Sequence, residues 1–157
     1  FRLYFGSYLG NHFFVLCFFD VWRYELFETY VGGRRAGFTT DFEDFSGRSS
    51  YAAQCAGGYY AARFAVVEAL VAQKRQYSVL VLRFIDDTYT TPLGVWVVLE
   101  AMRLAMSSSP TLFDSRDALV SFVCATVRSR WQSSLDFFLP QSHVLLSVGK
   151  QKKLFEF

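Results

Sequence analysis

The chain has 157 residues, 16 basic and 14 acidic, for a net charge of +2; 52% are hydrophobic and 19% aromatic. That near-neutral balance excludes a protein that grips phosphates over its whole surface, and the length fits one domain with a real core. The 18 phenylalanines exceed what one small core holds, so some rings are expected to face a partner or another part of a longer protein.

Residues 1–8 predict a short strand, with a turn at Gly10-Asn11. Residues 13–19, FFVLCFF, predict a strand buried on both faces. Residues 3–19 carry no formal charge, but Gly6, Ser7, Gly10, Asn11 and His12 interrupt the run, so two strands and no membrane span are expected. Residues 22–31 mix helix and strand signals. The Gly32-Gly33 turn that follows favours a strand.

Residues 37–45 predict a further strand, broken by Ser46-Gly47-Arg48. Ser49 or Ser50 is the expected cap of a helix running from about Tyr51 to Lys74. Gly57 and Gly58 lie inside that pattern. They either pack closely on a sheet, the favoured reading, or mark a helix start whose free N–H groups take an anion. Residues 77–85, YSVLVLRFI, predict a buried strand, in which Arg83 needs a partner or an exit to solvent. Helices are expected over about 95–106 and from Asp114 or Ser115 to Trp131, with a last short element at 142–148.

Cys17, Cys55 and Cys124 are widely spaced and form no CxxC pair. They read as small core residues of a reducing, cytoplasmic setting. His12 and His143 stand apart in sequence, so no metal site is expected within this chain. Local basic pairs occur at Arg34-Arg35, Lys74-Arg75, Arg128 with Arg130, and among Lys150, Lys152 and Lys153; each reads first as a solvated edge.

The densest chemistry lies at 41–63. On a strand, Asp41 and Glu43 share one face. With Arg48, Arg63 and Arg83 they are the candidate catalytic residues. Carboxylates can hold Mg²⁺ for phosphodiester chemistry, and arginines can stabilise phosphate charge. Asp41 or Glu43 with Arg48 or Arg63 also fit an internal ion-pair network, since buried charges are normally paired. Ser49, Ser50 and Cys55 have no His nearby in sequence, which disfavours nucleophilic catalysis.

The segments DFEDFSGR (41–48), GGYYAAR (57–63), VLVLR (79–83) and PLGVWVV (92–98) fall in that order. Together they resemble the C-terminal half of the archaeal Nre DNA-repair proteins. The resemblance implies a DNA-repair factor that interacts with the sliding clamp, PCNA. The last seven residues, QKKLFEF, resemble a clamp-interacting peptide, with Gln151, Leu154, Phe155 and Phe157 as the binding residues. A short terminal helical turn can direct Leu154 and Phe157 into an apolar clamp pocket.

The expected architecture is α+β, a mixed sheet packed by two or three helices over 1–148, followed by a flexible clamp-binding tail at 149–157. Two functions stand side by side. One is a repair factor recruited to damaged DNA through the clamp. The other is a metal-dependent nuclease, or related DNA-processing enzyme, built on the acidic-arginine cluster. The clamp and possibly DNA are the expected partners, with no membrane and no cofactor other than Mg²⁺ in the nuclease case. A hydrophobic subunit of a larger assembly is a third reading.

Overall fold

The uncharged N-terminal run is a β-hairpin. In the computed structural model, which describes residues 1–32, 37–90 and 93–149, strand β1 (Arg2–Tyr8) turns at Leu9 and Gly10 into β2 (Asn11–Phe18). The turn sits one residue earlier than the sequence suggests. Both Leu9 and Gly10 have positive φ, which frees Asn11 to open the second strand. Every residue of β2 is buried, as its apolar run predicts.

The ambiguous segment is strand β3 (Arg23–Tyr30), followed by β4 (Thr39–Glu43), β5 (Ser78–Ile85) and a two-residue edge strand, β6 (Thr111–Leu112), that the sequence did not signal. The strands form one sheet in the order β4-β3-β5-β2-β1-β6. Among the described residues only β3 and β5 run parallel; the other pairs are antiparallel. The sheet is therefore mixed and the fold α+β.

Helices cover both faces. On one, α1 (Ala56–Ala72) and α2 (Val95–Ser107) bury Tyr59, Ala62, Val66, Ala101 and Met102 against Phe13, Val15, Leu26 and Val81. On the other, α3 (Arg116–Trp131) and the short α4 (His143–Ser147) pack Leu119, Val123, Val127 and Val144 against Phe14, Leu16, Leu80 and Leu82. Gly6 lets α2 approach the sheet: a Cβ there would lie 2.5 Å from the Ala105 Cα. Ser115, not Asp114, caps α3, its side chain accepting from the Ala118 N–H at 3.1 Å.

Helix α1 starts at Ala56, five residues later than expected, and neither Ser49 nor Ser50 caps it. The reason is side-chain competition for the backbone. Arg48 donates to the carbonyls of Phe42, Ser50 and Tyr51, while the Asp41 carboxylate collects the N–H groups of Ala53, Gln54 and Cys55. These bonds hold 48–55 as a loop. Helix α1 is also less enclosed than its apolar circumference implies, since Phe64 and Val71 face solvent. Among the described residues no helix is long and apolar enough to cross a membrane.

Candidate functional site

Strand β4 places Asp41 and Glu43 side by side on the α1 face, both buried. Each meets a different arginine. Asp41 takes its three backbone N–H bonds at 2.8–3.0 Å and the Arg48 guanidinium at 3.3 Å. Glu43 accepts from Arg63 at 2.8 Å, from the Trp22 indole at 2.8 Å and from the Tyr59 hydroxyl at 3.0 Å. Arg63 also lies over the Trp22 ring and Arg48 over that of Tyr59, so four residues of β4, its loop and α1 lock together through two rings.

Arg83 does not join them. It pairs with Glu28, its register neighbour on β3, and donates to the Asn11 side-chain oxygen at 3.0 Å and 2.5 Å. The partner that a buried strand arginine requires is thus a carboxylate on β3, the strand between Arg83 and Asp41, not the predicted cluster. Gly58 is the third residue of α1, and a Cβ on it would lie 2.7 Å from the Glu28 Oε2. The close-packing reading of the glycine pair holds at Gly58: α1 begins two residues earlier, at Ala56, and the space a side chain would fill belongs to a carboxylate of the sheet.

The electrostatics follow from the donors. Burial pushes the Asp41 pKa up, but the N–H groups of Cys55, Ala53 and Gln54 outweigh it and hold the carboxyl below its usual range. Burial, then the charge of Glu43 and the hydrogen bond to it, pushes the Tyr59 phenol far up. Burial and the nearby carboxylates of Glu28 and Asp41 likewise keep the Cys55 thiol protonated. Cys17, buried in the core, is pushed up to about 12. None of these groups is a poised nucleophile.

This donor set does not suit Mg²⁺. Both oxygens of Asp41 and both of Glu43 face N–H, guanidinium or hydroxyl donors, which place positive charge where a cation would sit. Among the described residues no group of three or more His, Cys, Asp or Glu side chains is placed to hold a metal ion.

Several residues that the sequence did not single out matter more. Glu25, fully buried on β3, reaches the opposite face and accepts from the Ser142 hydroxyl at 2.6 Å and from the His143 and Val144 N–H groups at 3.0 Å, fixing the start of α4. Glu28 and Arg83 line a cleft of about 400 Å³ with Thr29, Phe38, Ile85 and Tyr89. It opens beyond the C-terminal ends of the two parallel strands, where open sheets bind ligands. A Glu inside a strand pattern was the available signal for both carboxylates.

His12 is not isolated. Its ring bridges Ser7 and Asp86, at 2.7 Å on each side. The basic pairs at Arg34-Arg35 and Lys150–Lys153, and the clamp-peptide residues Gln151, Leu154, Phe155 and Phe157, lie outside the described residues. Arg128 faces Asp136 at 3.6 Å, and Lys74 and Arg75 are exposed where α1 ends.

The sequence pattern of the family described as "Archaeal Nre, C-terminal" matches residues 43–157. DNA repair protein NreA of Archaeoglobus fulgidus is 36% identical over 140 residues, covering 81% of this chain and 34% of that protein. NreA of Haloferax volcanii is 35% identical over 112 residues, covering 66% of the chain and 27% of its own length. DNA repair protein NreB of A. fulgidus is 33% identical over 144 residues, covering 87% and 35%. The chain thus spans about a third of the length of these relatives. No solved structure matches it significantly. The match takes in Glu43 at the end of β4, Arg48, the first turn of α1 with Gly57 and Gly58, and Arg83, and the chain belongs to the archaeal Nre family.

Proposed function

We propose that this chain serves DNA repair as a binding factor, recruited to damaged DNA by the sliding clamp PCNA through Gln151, Leu154, Phe155 and Phe157. The names of the NreA and NreB relatives support the repair role. The observation that carries binding over catalysis is that Asp41 and Glu43 are fully engaged by internal donors. Arg48 and Arg63 spend their charge on those carboxylates, and Arg83 spends its own on Glu28. The cluster therefore holds β4 to α1 and leaves no carboxylate edge for a metal.

The terminal peptide suits a clamp pocket because Leu154 and Phe157 are three residues apart in sequence, the spacing that one helical turn taken up on binding would bring to one side, and lysines precede them. Pull-down of the clamp, with the intact chain against one lacking residues 151–157, tests the recruitment. Clamp binding is expected to disappear with the peptide, and equal binding by both chains sinks the reading. Cleavage of branched or damaged DNA by the intact chain with Mg²⁺, lost on changing Asp41 and Glu43 to Ala while the fold is kept, would instead establish the nuclease.

A further inference from the structure

At the opposite end of the sheet from Glu43, the hairpin tip brings three side chains into line. Ser7 on β1 and His12 on β2 are register neighbours, and Asp86 follows the last residue of β5. The Ser7 Oγ lies 2.7 Å from the His12 Nδ1, and the His12 Nε2 lies 2.7 Å from the Asp86 Oδ2. A carboxylate only accepts, so Nε2 carries the proton. Nδ1 then presents its lone pair to the serine hydroxyl. This is the tautomer a general base needs, with the two ring nitrogens exchanged relative to the familiar serine hydrolases.

The ring and the acid are held. Trp131 packs on the imidazole at a centroid distance of 5.0 Å. The other Asp86 oxygen accepts from the Thr88 N–H at 3.0 Å and from its hydroxyl at 2.5 Å, and the Asp86 N–H is tied to the Gly10 carbonyl. His12 is buried, while Ser7 is half-buried. The nucleophile is thus the reachable end of a rigid chain. Arg130 places its Nη2 3.4 Å from the His12 Nδ1. The same arginine lines an apolar groove of about 360 Å³ between β1 and α3, with Leu3, Phe5, Phe14 and Phe122.

We propose that Ser7, His12 and Asp86 form a nucleophilic relay that hydrolyses a carboxylic ester whose apolar acyl group lies in the Phe5–Phe122 groove. Ser7 Oγ bonds to the carbonyl carbon and its proton passes to His12 Nδ1. Arg130 donates to the oxyanion. The C–O bond to the alcohol breaks, and the proton on Nδ1 goes to the departing oxygen. Water then attacks the acyl-serine with His12 again as base, releasing the acid and restoring Ser7. Asp86 is a positioning residue, holding the tautomer.

A fluorophosphonate probe and p-nitrophenyl butyrate test this on the intact chain. The probe is expected to add once, at Ser7 by peptide mapping, and the ester to turn over. Ser7→Ala removes both. His12→Gln slows both by at least about a hundredfold. Should His12→Gln unfold, as circular dichroism would show, Asp86→Asn at the more exposed end takes its place and is expected to slow both as well. No adduct at Ser7, or labelling as fast in a folded His12 or Asp86 variant as in the native chain, overturns the relay. Turnover of bis-p-nitrophenyl phosphate without the ester overturns the assigned substrate class.

Discussion

The cluster at Asp41 and Glu43 and the relay at Ser7, His12 and Asp86 use the same kinds of group to opposite ends. The first holds two carboxylates, two arginines, an indole and a phenol, and every carboxylate oxygen is satisfied from within. The second is sparser, yet its hydrogen bonds run in one direction, from a half-buried hydroxyl through an imidazole to a carboxylate. Density of charged residues marks where a fold is tied together. Chemistry requires a chain of donors and acceptors with an accessible end.

That contrast can be broken by substitution, and the largest effect belongs to Glu43. Glu43→Ala leaves Arg63, the Trp22 indole and the Tyr59 hydroxyl facing one another without an acceptor. Arg63 retains partial access to water, so the expected loss is about 3 kcal/mol, at the low end for a broken buried pair. Urea unfolding at pH 7 measures it, and a loss below about 1 kcal/mol would deny the cluster its structural role.

Gly58→Ala comes next. The new Cβ meets the Glu28 carboxylate and pushes it off Arg83, for an expected cost of about 2 kcal/mol despite the better helix propensity of Ala. A stabilised variant would mean that Glu28 swings freely aside.

Asp41→Asn follows, at about 1–2 kcal/mol at neutral pH, because an amide cannot accept from every donor that Asp41 serves. Its pH dependence is the sharper readout. The carboxyl sits below its ordinary value in the folded chain, so its contribution is complete above the unfolded value of about 4 and is lost as pH falls through the folded one. The acid limb of the stability curve should flatten in the variant; a limb as steep as before would place the acid sensitivity elsewhere.

Ser7→Ala should cost least, under about 1 kcal/mol, since the site is half-open and only one neutral hydrogen bond is lost. The comparison between the regions is sharpest here. Substitutions at the first should move the unfolding curve, and this one should leave it nearly still while abolishing ester turnover.

Local pattern sufficed for the strands. The continuous apolar run of β2 and the β-branched and aliphatic run of β5 place these strands within a residue or two, residues 1–8 match β1 as closely, and the glycine turn signal after residue 31 resolves the mixed signals of β3. The start of α1 was not legible, because Arg48 and Asp41 draw the backbone of 48–55 away from helix through bonds from another strand. The sequence points to a network between Asp41 or Glu43 and Arg48 or Arg63 and to a partner for Arg83, but the structure assigns Arg48 to Asp41 and Arg63 to Glu43. That Glu28 is that partner depends on β3 and β5 lying side by side in parallel, a choice made by the whole sheet.

By itself the sequence determined family, the mixed α+β architecture and the residues rich enough in charge to matter, since these follow from composition, period and motif order. Only the tertiary structure decided which charges were already spent. A sequence separation of 74 hides the link between His12 and Asp86, while antiparallel pairing of β2 with β5 brings the two side chains within 2.7 Å. Sheet register, not proximity along the chain, sets which side chains share a face and can pass a proton between them.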